Sequence, residues 1–235
     1  MRLDQYLTQN FNIQSRNKAS EIIKSNKVKI DGKTVSKPSY LVDDTSSIEL
    51  LEEDFYVSRA AYKLKYFLDE ISLDLKNQNA LDIGSSTGGF TQILLEKNIK
   101  KVTCVDVGSN QLHQKIKENK RIVFFENQDI RTFETEDHFD IITCDVSFIS
   151  ILNILNDINR LSKDKIIILF KPQFEVGTNI KRDKKGVVKD KKAILKARTK
   201  FLLECKLLEW ELKYNSISKL EGKDGNEEEL FYFNK

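Results

Sequence analysis

A series of polar clusters in this 235-residue chain each follow an apolar run, and their residue types are those that bind and activate ligands. Leu81-Asp82-Ile83 leads into Gly84-Ser85-Ser86-Thr87-Gly88-Gly89-Phe90. Glycines there let the backbone turn tightly at a strand's carboxyl end and come close to a ligand. Asp106 follows the next run, in Val105-Asp106-Val107-Gly108, where a carboxylate can accept both hydroxyls of a ribose. In Asn127-Gln128-Asp129-Ile130 a polar side chain can bond an adenine amino group while Ile130 lies against the ring; Asp129 can equally cap the next helix. Asp145 ends a fourth run. Lys171 ends a fifth, after Ile166-Ile167-Ile168-Leu169-Phe170, where a partly desolvated amine can act as a base. A surface lysine with its stem on apolar residues and its head in water is the other reading.

The elements that must carry these residues show in the apolar periodicity. Runs at Ala80–Ile83, Lys101–Val107, Ile122–Phe125, Phe139–Val146 and Lys165–Phe170 alternate with helical patterns at Phe90–Lys97, Gln111–Asn119 and Ile149–Leu161. Such alternation specifies a parallel sheet with helices on both faces. Leu208–Ser216 and Leu230–Phe233 read as an antiparallel pair at the sheet edge. The predicted class is therefore α/β, with a seven-stranded, mostly parallel sheet. That pattern fits the Rossmann-like methyltransferase better than the dinucleotide dehydrogenase, and no GxGxxG is present. Asp82 two residues before Gly84, with Gly88 four further on, is closer to the first motif of S-adenosylmethionine-dependent enzymes. The first 50 or so residues form a small α+β module. Arg2–Thr8 and Asn17–Lys24 are short amphipathic helices, Val28–Ile30 enters a tight turn at Asp31-Gly32, and extended chain runs from Pro38 to Leu50.

Charge is unevenly spread although the net is only +3. Residues 1–38 carry eight Lys and Arg against three acids, a net of +5, with Arg2, Arg16, Lys18, Lys24 and Lys29 placed to follow phosphates. Residues 163–200 carry thirteen against four, a net of +9. There the Gly177–Gly186 stretch reads as a mobile basic loop whose Lys181, Arg182, Lys184 and Lys185 would hold a nucleic-acid backbone. The other reading, taken for half of these charges, is the outer face of an amphipathic helix over Lys189–Lys200, with Ile194, Phe201 and Leu202 inward. The cysteines, Cys104, Cys144 and Cys205, are widely spaced and have only His113 and His138 for company, so no metal site is expected and burial in a reducing cytoplasm is. No apolar stretch is long enough to span a membrane, and the first residues lack a secretion signal.

Nearly the whole chain resembles the TlyA family of ribosomal RNA 2′-O-methyltransferases, some of which are labelled haemolysins. Residues 1–55 resemble the RNA-binding module of ribosomal protein S-four, through Arg2-Leu3-Asp4, Ser15-Arg16, Ala19, Val28, Gly32 and Lys37-Pro38-Ser39. Residues 56–235 resemble the FtsJ-like methyltransferase domain. The carrying motifs are Tyr56-Val57-Ser58-Arg59, Asp82 to Thr91, Cys144-Asp145-Val146-Ser147-Phe148-Ile149-Ser150 and Phe170-Lys171-Pro172-Gln173-Phe174-Glu175. The resemblance implies S-adenosylmethionine as cofactor, held by Asp82, Gly84 to Phe90, Asp106, Val107, Asp129, Ile130 and Asp145. It implies ribosomal RNA, within a ribosomal subunit, as substrate, with Arg59 among the RNA contacts. It also implies a Lys-Asp-Lys-Glu tetrad, which by motif falls on Lys63, Asp145, Lys171 and Glu228. Ala60-Ala61 replaces the usual Gly-Gly pair, and Glu228 is chosen among Glu227, Glu228 and Glu229 by its spacing from Gly225-Asn226; Glu221 is a weaker candidate. Three other readings compete. They are a non-catalytic RNA-binding protein, a membrane-active haemolysin, and a nicotinamide oxidoreductase. The intact cofactor loop opposes the first. The lack of a secretion signal, spanning segment or long amphipathic stretch opposes the second. The absent GxGxxG opposes the third.

Overall fold

Burial on both faces explains why the central runs are continuously apolar rather than alternating. A computed structural model describes all residues except 12, 14, 44 and 52–55, and divides the chain into two compact units, 1–55 and 56–235.

In the first unit, helices α1 (Leu3–Asn10) and α2 (Arg16–Lys24) pack beside a three-stranded sheet ordered β2-β1-β3, from β1 (Val28–Ile30), β2 (Lys33–Thr34) and β3 (Ile48–Leu50). The β1–β2 hairpin closes through Asp31 and Gly32, both at positive φ, as a two-residue turn of that kind requires. Leu3, Leu7, Ala19, Ile22, Ile23 and Val28 meet in a small core. Ser15 caps α2 by accepting from Lys18 N.

The second unit opens with α3 (Arg59–Glu70) and then alternates strand and helix: β4 (Asn79–Ile83), α4 (Gly89–Glu96), β5 (Lys101–Val105), α5 (Gln114–Lys117), β6 (Ile122–Phe125), β7 (Phe139–Cys144), α6 (Leu155–Leu161) and β8 (Ser162–Phe170). The short α7 (Pro172–Glu175) and the long α8 (Lys191–Leu207) precede β9 (Glu211–Ile217) and β10 (Glu229–Asn234). The sheet has seven strands in the order β6-β5-β4-β7-β8-β10-β9, with β10 antiparallel to both neighbours. Strand order reverses between β4 and β7, so their carboxyl ends flank the crevice where open α/β sheets bind ligands.

Element boundaries depart from the periodicity where side chains are drawn into loops. The helix predicted over Gln111–Asn119 shrinks to α5, because Gln111 accepts from Ser86 Oγ and His113 N donates to Thr87 O. The helix predicted over Ile149–Leu161 splits into a 3-10 turn at Ile151–Asn153, capped by Ser150, and α6. The strand predicted to reach Val107 stops at Val105, since Asp106 turns to accept two backbone N–H groups. α8 runs to Leu207, so the last strand pair begins at Glu211 rather than Leu208. On α8, Phe201 and Cys205 are buried, while Leu195, Leu203 and Leu207 are exposed. All three cysteines are free and buried. Among the described residues no helix is long and apolar enough to cross a membrane, and no group of acidic, His and Cys side chains could hold a metal.

Candidate active site

The loops at the switch point are set by how closely two strands approach. Gly84 follows β4 at φ +75°, and a Cβ on it would lie 2.8 Å from the carbonyl oxygen of Asp145, which follows β7. Any side chain here would push the two strand ends apart. Five residues on, a Cβ at Gly89 would sit 2.2 Å from Ser58 Oγ and 2.9 Å from Ala61 N, so α4 packs hard against the start of α3. That contact brings Lys63, one turn further along α3, over the crevice.

Lys63 is 8% exposed and Glu228 3%, and they form an ion pair at 2.5 Å. Gln173 Nε2 donates to the other Glu228 oxygen at 3.2 Å. The neighbouring Glu229 points elsewhere and takes a two-pronged bond from Arg198 on α8, at 2.8 Å on each oxygen. Lys171 lies 2.6 Å from Asp145 Oδ1 and donates to Ser147 Oγ at 2.9 Å. The four candidate tetrad residues thus form two ion pairs.

Three cavities adjoin here. The first, about 290 Å³, is lined by Gly84, Ser86, Asp106, Val107, Asp129 and Ile130 together with Asp145 to Ile149. A smaller one of about 160 Å³ runs along Ser85, Ser86, Thr87, Gly89 and Phe90 to Asp145 and Lys171. The third, about 450 Å³, holds Arg59, Lys63, Lys171, Arg182 and Glu228. Asp145 is shared by the first two cavities and Lys171 by the last two, while Ser147 lines all three.

The first cavity fits a nucleoside with a ribose diol. Asp106 accepts from Ser86 N at 2.8 Å and Gly108 N at 2.7 Å, one bond per oxygen, which leaves each oxygen a lone pair. Ile83, Val105, Val107, Ile130 and Ile154 give it apolar walls. Asp129 is spent locally. It caps the turn at Ile130–Thr132 and takes a two-pronged bond from Arg131, which lowers its pKa, so the capping alternative is what the structure shows even though the residue lines the cavity.

Some predicted ligand residues lie away from the cavities. Asp82 is fully buried inside the sheet and accepts from Thr91 Oγ1 at 2.6 Å and Thr143 Oγ1 at 2.9 Å. It ties α4 to β7 and lines none of the three cavities. Burial pushes its pKa up to about 6, against the pull of the two hydroxyls. Gly88 caps α4 and faces Leu112 and Ile116. The Gly177–Gly186 stretch is pinned rather than free. Arg182 donates to the carbonyls of Gln173, Gly177 and Ile180, and Asp183 accepts from Lys185 N and Val187 N. In the first unit, Arg2 and Arg16 both bond the buried Asp4, which holds that carboxyl down at about 2. Lys18 pairs with Glu21, whereas Lys24 lies exposed and Lys29 half-buried. Arg59 donates to Glu221 O, and Lys181, Lys184 and Lys185 are at least partly exposed.

Sequence reasoning assigned no role to Ser147, Phe148, Gln173 or Glu175. Phe148 is 92% exposed at φ +66°, borders both large cavities, and stands 5.3 Å from the Phe174 ring. A large apolar residue in a polar loop after a strand was the available signal.

The FtsJ-like methyltransferase model matches residues 56–235 and the S4 domain model residues 1–48. The chain is 49% identical to the 23S rRNA (cytidine-2′-O)-methyltransferase TlyA of Campylobacter jejuni, over 99% of each chain. It is 33% identical to the 16S/23S rRNA (cytidine-2′-O)-methyltransferase TlyA of Mycobacterium tuberculosis, over 97% of this chain and 87% of that one. It is also 35% identical to Hemolysin A of Brachyspira hyodysenteriae, over 99% of each. Among solved structures, a candidate hemolysin from Streptococcus thermophilus superposes with a TM-score of 0.74 at 30% identity, covering 100% of this chain and 88% of that one.

Proposed function

Because the chain belongs to the TlyA family of rRNA 2′-O-methyltransferases, we propose that its three adjoining cavities hold S-adenosylmethionine and a cytidine of ribosomal RNA, with Lys171 serving the ribose hydroxyl. The observation that carries this reading is Lys171 with its two partners, Asp145 and Ser147, where the glycine-lined cavity meets the basic one.

The cofactor, when bound, supplies an electrophilic methyl group. Asp106 would accept the hydroxyls of its ribose, and the Gly84–Thr87 backbone would hold its amino-acid end. Methyl transfer needs the nucleophile in line and little covalent help, so positioning and electrostatics supply most of the rate. Lys171 Nζ, aimed by Asp145 and Ser147, first gives up a proton to solvent and then, as the free amine, accepts the proton of the RNA 2′-hydroxyl; Asp145 stabilises the ammonium that re-forms. Lys63, held by Glu228, contacts the ribose or its phosphate. Phe148 offers a ring on which the target base stacks. The S4 unit adds RNA affinity through Lys24, Lys29 and the outer faces of Arg2 and Arg16.

Ribose-methylation mapping of rRNA from cells with and without the gene tests the function. One cytidine should lose its methyl group in the knockout; an unchanged map overturns the reading.

A further inference from the structure

The loops after β7 and β8 are joined at both ends. Near the strands, Lys171 reaches Asp145 at 2.6 Å and Ser147 Oγ at 2.9 Å. Farther out, Glu175, the last residue of α7, accepts from Ser150 Oγ at 2.6 Å and from Ile151 N at 2.9 Å. The rings of Phe148 and Phe174 meet between these two links, 5.3 Å apart.

The loop so held is under conformational load. Phe148 has φ +66°, a backbone state that a bulky side chain leaves unless its surroundings hold it. The same loop supplies Asp145 to Ile149 to the wall of the first cavity, and Ser147 and Phe148 also face the third. The Lys171 link anchors only its beginning. At the other end, Ser150 Oγ accepts from Leu152 N at 3.3 Å, so its proton is committed to the carboxylate. A carboxylate that takes one hydroxyl and one backbone N–H at the first turn of a 3-10 segment fixes both the position and the direction of the chain entering it. Glu175 lines none of the three cavities and therefore touches neither substrate.

We propose that Glu175 is a positioning residue for methyl transfer. By clamping Ser150 and Ile151 it sets the Ser147–Ile149 backbone, and so makes the loops after β7 and β8 one wall between the donor and RNA cavities. What that wall holds rests on the functional reading above; the clamp itself does not.

The test compares Glu175→Ala, Glu175→Gln and Ser150→Ala in the full chain by amide hydrogen exchange and by calorimetric titration with S-adenosylhomocysteine. Glu175→Ala should raise exchange in residues 145–152 while leaving β5 and α8 at wild-type protection. It should also weaken S-adenosylhomocysteine on the order of tenfold, the loss of a charge-assisted hydrogen bond. Glu175→Gln should restore both, because its amide oxygen can accept from Ile151 N while the Ser150 hydroxyl turns to accept the amide N–H. Ser150→Ala removes the hydroxyl's bond to Glu175 and its cap on Leu152 N but leaves Ile151 N on the carboxylate, and should fall between; it decides the matter if Glu175→Ala does not fold. Wild-type exchange in residues 145–152 of the Ala variants would overturn the proposal, as would a rise spread evenly over the whole unit. A wild-type chain that binds no S-adenosylhomocysteine would instead refute the functional reading, and exchange alone would then judge the clamp.

Discussion

Each lysine of the tetrad has a carboxylate of its own, and the two pairs differ in burial. Removing one side of the Lys63–Glu228 pair strands a nearly buried charge at the wall of the basic cavity, which costs up to about 3–5 kcal/mol, the figure for fully buried pairs. Glu228→Ala and Lys63→Ala should therefore each destabilise strongly, and the double variant should cost less than their sum. Urea unfolding of the four proteins reads that coupling. Lys171 faces the cavities, so Lys171→Ala should keep S-adenosylhomocysteine binding and lose about 10²–10⁴-fold in single-turnover methylation of an rRNA fragment. A variant that keeps most of its rate sinks the proposed proton transfer. Phe148 separates backbone from ring. Phe148→Gly should be more stable than Phe148→Ala by about 1 kcal/mol, because glycine tolerates φ +66°, while both raise the KM for RNA.

At the scale of elements, the alternation of strand and helix was legible because buried parallel strands are apolar along their whole length. Residues at strand ends were legible as a group, since any ligand of such a sheet must meet them. Helix lengths were not, because side-chain capture decides them. Gln111 and His113 belong by pattern to α5, but their bonds to the glycine loop pull them out of it. Asp82 matched a ligand motif, yet strand alternation turned it inward to Thr91 and Thr143, a distinction a spacing cannot carry. The basic loop has the composition of a mobile one, and nothing local marks Arg182 as a donor to three carbonyls. A clean charge test must therefore leave Arg182 intact. Lys181, Lys184 and Lys185 changed together to Glu should weaken RNA binding and flatten the salt slope by about 2, if all three contact a single strand. Equal affinity at moderate salt would remove this loop from the RNA surface.

Across the molecule one buried carboxylate in each unit should answer acid in the opposite sense to the other. Asp82 has its pKa raised from 3.8 to about 6, so the folded chain binds a proton before the unfolded chain does. Its ionised form opposes folding above that range, so Asp82 by itself adds stability to the 56–235 unit as pH falls from about 6 towards 4, against the loss from carboxylates there whose pKa is lowered, such as Glu70 and Asp183. Asp4 is the reverse. Its pKa is lowered to about 2, so the stability its ionised form gives the first unit is present above 3.8 and drains away as pH falls towards 2. Hydrogen exchange followed on peptides from α1 and from β4 should show each contribution as the difference between wild type and Asp4→Asn or Asp82→Asn, with opposite signs of pH dependence. The sheet's strand order carries a last consequence, for synthesis. β10 comes late in the chain yet is inserted between β8 and β9, with Glu228 just ahead of it. While the ribosome is still making that stretch, the nascent sheet has an open slot and Lys63 has no counter-ion. The sheet therefore closes, and Lys63 gains its partner, only once the chain through β10 has been made.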